Sequence, residues 1–68
     1  MKSSVGQRVK DLRIEKGLTQ KGVAGALEMD RSNYSKYELG KLEFNNDMLI
    51  ALAKLFDVST DYLLGLED

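Results

Sequence analysis

The chain has 68 residues and contains no cysteine, histidine, proline or tryptophan. Without cysteine there is no disulfide and no thiolate metal site. Without histidine the usual general base near neutral pH is missing, and so is the commonest metal ligand. No apolar run approaches the ~20 residues that a membrane span needs. The opening MKSSVGQRVKDL lacks the unbroken apolar core of a signal peptide. These absences point to a soluble, cytoplasmic protein that binds no cofactor, no metal and no evident small-molecule ligand. A chain of this length is expected to form one domain over residues 1–68 and to bury only about 60% of its unfolded surface.

What is present is ordinary for a globular protein, at 43% hydrophobic and 31% charged residues. With proline absent and apolar residues recurring at steps of three and four, the pattern is all-helical. The charge is unevenly spread. Residues 1–41 hold nine Lys/Arg and five Asp/Glu, a net of +4; residues 42–68 hold one Lys and six Asp/Glu, a net of −5. The total of −1 conceals this asymmetry. Phosphates would respond to the local patch, because charges beyond about 8 Å are largely screened in physiological salt.

Residues 19–40, TQKGVAGALEMDRSNYSKYELG, carry the most information. They parse as two short helices around a tight turn, Thr19 to about Leu27 and Asp30 to Leu39–Gly40. Thr19 and Asp30 are N-cap residues whose side-chain oxygens can accept a free backbone N–H. Gly40 suits the left-handed position after a helix. Such a pair is a helix-turn-helix, whose second helix can enter a DNA major groove. That helix offers Arg31, Ser32, Asn33, Ser35 and Lys36. Arg31 and Lys36, five apart, are expected on neighbouring ground of one face. Tyr34 is expected in the core and Tyr37 packed with its hydroxyl toward a phosphate; both hydroxyls are expected to stay wet.

The remaining segments read as helices too. The first is expected from Ser3 or Ser4 to Lys16, with Val5, Val9 and Leu12 inward and Gly17 as its stop. The fourth is capped by Asn45 or Asn46 and runs to Phe56 or Asp57, burying Leu49, Leu52, Ala53 and Phe56. Ser59 caps a short fifth helix, where Tyr62, Leu63 and Leu64 close over the core. Gly22 and Gly25 inside the second helix each cost about 0.8–1 kcal/mol relative to alanine. Tolerated drift and close approach of another backbone both explain them, and drift is preferred.

With LRIEKGLTQ, YELGK and LIALAKLFDVSTDYLLG in this order, the chain from about Val5 to Gly65 resembles the phage-repressor-like (Cro-type, Xre) helix-turn-helix regulators. The resemblance implies an all-α, compact five-helix lambda-repressor-like DNA-binding domain with the helix-turn-helix at helices two and three. It implies a homodimer on a palindromic double-stranded DNA operator, acting in transcription, most readily as a repressor. By position it assigns base reading to Arg31, Ser32, Asn33 and Lys36, and phosphate contact to Thr19, Gln20, Tyr37, Lys41, Asn45 and Asn46. Arg13 and Glu38 match a structural ion pair between helix one and the end of helix three. Family analogy puts dimer contacts at helix five and the tail, with Tyr62 and Leu66.

Three positions depart from the family pattern. Glu28 stands where the turn glycine is usual, at a cost of roughly 1–2 kcal/mol for a left-handed residue. Gly22 replaces the acidic partner of Thr19, removing the capping box. Phe44 stands where proline is common. Two other function classes remain to be weighed. One is a protein-interaction module on the same fold that has lost DNA binding, favoured by the acidic balance and Glu28. The other, an enzyme, has only the carboxylate pairs Asp11/Glu15 and Asp57/Asp61, which surface solvation explains, so no catalysis is expected.

Overall fold

The computed structural model describes residues 4–67. Among them are five helices and no strand: α1 Val5–Glu15, α2 Gln20–Ala26, α3 Arg31–Glu38, α4 Asn46–Phe56 and α5 Thr60–Leu63. The expected start at Ser3 lies outside the described residues, and Ser4 is the N-cap. No described helix is long and apolar enough to cross a membrane.

Each helix begins at a small polar residue: Ser4, Thr19, Asp30, Asn45 and Ser59. Four of these side chains accept a backbone N–H of the first turn, from Gln7, Gly22, Met48 and Tyr62. Asp30 does not; it holds the extended N-cap conformation without a side-chain cap bond. The expected capping by Asp30 is therefore corrected to backbone geometry alone.

All five helices end in one way. A left-handed residue follows the last turn, and the next N–H reaches back five residues to a carbonyl. These bonds run from Leu18 to Arg13, Met29 to Ala24, Lys41 to Lys36, Val58 to Ala53, and Leu66 to Asp61, at 2.8–3.0 Å. The left-handed residues are Gly17, Glu28, Gly40, Asp57 and Gly65. Glu28 takes φ 59° and so does the work expected of a glycine. The closing bond satisfies a carbonyl that would otherwise be orphaned, and Met29 beside it packs on the core, so the turn keeps its form despite the strain.

The core is Val9, Leu12, Val23, Ala24, Tyr34, Leu49, Leu52, Phe56 and Leu63. A fully buried side chain of this kind contributes about 1.5–3 kcal/mol. Helix α1 touches α3, α4 and α5, while α2 packs on α3. Two expectations shift. Met48 is buried on α4 where Ala53 is only half-buried, and Leu64 stays 43% exposed rather than closing over the core.

Close backbone approach does occur, at Gly6. A Cβ there would stand 2.5 Å from the Tyr37 carbonyl oxygen and 2.6 Å from that of Glu38. Helix α1 thus lies directly against the last turn of α3. At Gly25 an added Cβ meets nothing within 4 Å, and at Gly22 only Thr19 Oγ1 at 3.2 Å, so no neighbouring helix explains those two glycines.

Candidate nucleic-acid interface

Helix α3 presents one face to the core and the other outward. Tyr34 and Glu38, one turn apart, are buried. Arg31, Ser32 and Lys36 are exposed; Asn33 and Ser35 are half-buried. The Ser35 hydroxyl donates to the Ser32 carbonyl at 2.9 Å. Ser32 and Lys36, four residues apart, share the outward ridge. Arg31 does not share it. At 3.6 residues per turn, five residues turn the helix by about 140°, which sets Arg31 on the flank toward α2. The expected single face for Arg31 and Lys36 is corrected accordingly.

Helix α2 supports that flank. Thr19 Oγ1 accepts the Gly22 N–H at 3.0 Å, which fixes the helix start. Gln20, the first helical residue, lies between the outside and the interior. Its Nε2 donates to Glu38 Oε1 at 3.0 Å, and its Oε1 accepts from Arg31 Nη1 at 3.4 Å. Backbone N–H groups at a helix start have no partner within the helix and carry partial positive charge, which suits a phosphate. Exposed Lys21, to which sequence spacing alone assigns no role, sits next to Gln20.

Beneath this surface Glu38 collects donors. Arg13 Nε lies 2.7 Å from its Oε2 and Arg13 Nη2 3.2 Å from its Oε1, a two-point grip. The Tyr34 hydroxyl donates to Oε2 at 2.5 Å. It is therefore buried and bonded, not wet as expected. Arg13 Nη1 also donates to the Leu18 carbonyl at 3.0 Å, tying the α1–α2 connection to the same cluster. The Glu38 side chain is only 2% exposed. Burial alone would raise its pKa, but hydrogen bonds from Arg13, Tyr34 and Gln20 outweigh burial and hold it below the ordinary carboxylate value. The bond to Glu38 raises the Arg13 pKa. Burial, and then the bond to Glu38, push the Tyr34 phenol up.

The second expected clamp lies beyond α3. Lys41 is exposed in the connection, and Tyr37 is half-buried with its ring 5.2 Å from that of Phe44. Phe44 thus gives the connection an aromatic contact at the position where the family commonly has proline. Asn45 Oδ1 accepts the Met48 N–H at 2.8 Å, so only its amide NH2 is left for an outside acceptor. Asn46 is exposed as the first residue of α4.

Comparison with known proteins agrees with this geometry. Residues 6–68 match the family model described as a helix-turn-helix domain. The chain is 42% identical over 65 residues to the HTH-type transcriptional regulator ImmR of Bacillus subtilis, covering 96% of this chain and 51% of that protein. It is 37% identical over 62 residues to the HTH-type transcriptional activator BcrR of Enterococcus faecalis, covering 91% of this chain and 30% of that protein. The chain therefore spans about half or less of the length of these relatives. Among solved structures, the P22 c2 repressor crystallised with a synthetic operator superposes with a TM-score of 0.86 at 26% identity, over 97% of this chain and 100% of that one. By its helices, its turn and these matches, the chain belongs to the phage-repressor-like helix-turn-helix family.

Proposed function

We propose that this domain binds double-stranded DNA in a sequence-specific manner, as a homodimer on a palindromic operator, and acts in the cytoplasm as a repressor. The observation that carries this reading is the outward ridge of α3, Ser32 and Lys36, flanked by an Arg31 that α2 supports through Gln20. Arg31 would bond to guanine O6 and N7, and Lys36 would reach the same acceptors. Ser32 and Asn33 would add smaller contacts. Thr19, Gln20 (through its backbone N–H at the start of α2), Tyr37, Lys41, Asn45 and Asn46 would meet the phosphates on either side and set the register. The charge asymmetry supports this arrangement, since the basic first half carries α2 and α3 and the acidic second half is repelled from the backbone.

One short helix reads few base pairs, so a two-fold pair with reading helices about 34 Å apart, one turn of B-DNA, is the form proposed. Its contacts are assigned to α5 and the tail, where Tyr62 is half-buried and Leu66 is 70% exposed. The P22 match was crystallised on an operator, which favours the repressor reading.

Selection of bound sites from a random duplex library, followed by affinity measured across salt, tests the proposal. A recovered two-fold motif and a steep loss of affinity with salt are expected, because phosphate contacts release counterions. No enrichment, with salt-insensitive or absent DNA binding, would instead identify a protein-interaction module on the same fold.

A further inference from the structure

The side-chain amide of Gln20 has two different ends, and its surroundings decide which one faces outward. Nε2 points inward to Glu38 Oε1, while Oε1 points outward to Arg31 Nη1. The reverse orientation would set the amide oxygen against a carboxylate, two acceptors with no hydrogen between them. It would also turn an NH2 donor toward a guanidinium that has no acceptor to offer. The carboxylate is held firmly in its own place by Arg13 from α1 and Tyr34 from α3. It is ionised, because those same donors keep its pKa low. A fixed negative charge in the interior thus orients the Gln20 amide, whose outward oxygen accepts from the exposed Arg31 side chain at 3.4 Å.

We propose that Glu38, besides tying α1 to α3, is a positioning residue for base recognition: through Gln20 it holds Arg31 ready in one orientation and so sharpens discrimination at the base pair that Arg31 meets. This rests on the DNA-reading role given to Arg31 above. A side chain already held loses less freedom on binding, so affinity for the matching base rises without any new contact to DNA.

Glu38→Gln removes the orienting charge, since an amide at 38 can accept from Gln20 or donate to it. Binding of this variant and of the unaltered protein is compared on the selected duplex and on duplexes changed at each position. The expected result is a loss of preference of about fivefold or more at the Arg31 position, a sizeable share of one bidentate contact. Affinity for unrelated duplex and its salt dependence are expected to hold. Glu38→Asp keeps the negative charge at that place, and is expected to retain more of the preference than Glu38→Gln. Equal weakening on every duplex, or an unchanged preference, would overturn the positioning role and leave Glu38 purely structural.

Should Glu38→Gln not fold, side-chain NMR of the unaltered free protein decides. One Gln20 amide proton protected from solvent exchange, with slowed rotation of the Arg31 guanidinium, supports the proposal; free exchange of both protons overturns it. Absence of any sequence preference in the unaltered protein would overturn the DNA-reading role and this one with it. A clear preference that the variants leave untouched would overturn this one alone.

Discussion

Gly6 on α1 and Glu38 on α3 meet backbone to backbone, with the Glu38 carbonyl oxygen 2.6 Å from where a Gly6 Cβ would stand. The same Glu38 then sends its side chain to Arg13, seven residues further along α1. One residue of α3 is thus held twice by one helix, once by shape and once by charge. Gly6→Ala forces the two helices apart, because backbone carbonyls cannot swing aside as a flexible side chain would. Overpacking of this kind costs about 1–3 kcal/mol. For a domain of this size each kcal/mol lowers Tm by roughly 4–8 °C. Calorimetry of Gly6→Ala should show that drop, and an unchanged Tm would mean the contact is not tight.

The low pKa of Glu38 makes stability depend on acid. A carboxylate with a folded pKa below its unfolded one contributes its full stabilisation above the unfolded value, about 4.3 for Glu. That contribution is lost as pH falls through the lower, folded value. Tyr34, whose pKa is raised, behaves in the opposite sense. Its share is present below about pH 10 and is lost as pH climbs above that. Urea titrations should therefore show stability falling at both extremes, and Glu38→Gln should flatten the acid limb. An acid limb as steep in Glu38→Gln as in the unaltered protein would assign the effect to other carboxylates.

Glu28 is a second point of leverage. It holds φ 59° in the turn between α2 and α3, where a side chain costs roughly 1–2 kcal/mol. Glycine removes that strain and gives back part of the gain through a looser unfolded chain. Glu28→Gly is expected to raise stability by about 0.5–1 kcal/mol, read as a higher urea midpoint at unchanged slope. A lower midpoint would show that the glutamate side chain makes a contribution larger than the strain.

The two kinds of DNA contact should separate under mutation. Arg31→Ala is expected to cost about 1–3 kcal/mol at one or two operator positions and little elsewhere. Lys41→Ala is expected to weaken every duplex alike and to lower the salt slope by about 1. Gel-shift series on matched and mismatched duplexes distinguish them. The reverse pattern would exchange the two assignments.

Much of the fold was legible because helix boundaries are written in local chemistry. Ser4, Thr19, Asn45 and Ser59 announce helix starts, and Gly17, Gly40 and Gly65 announce stops. Glu28 and Asp57 do the same job as those glycines without their signature, so the C-terminal boundaries there were read less sharply. The role of Gly6 is hidden in the sequence for a different reason. Its meaning depends on which helix crosses it, and spacing along α1 does not encode that. The Arg13–Glu38 pair entered through family resemblance, not through periodicity. The link from Glu38 through Gln20 to Arg31 runs from the end of α3 to α2 and back to the start of α3, and only side-chain directions reveal it.

Ser32 and Lys36 stand on the side of α3 turned away from Tyr34 and Glu38, which anchor that helix. If those two positions read bases as proposed, recognition and folding are separable in this molecule. Substitutions there would then rewrite the target while the spine that holds the page stays intact, so a new site would be within reach of very few nucleotide changes and no refolding penalty.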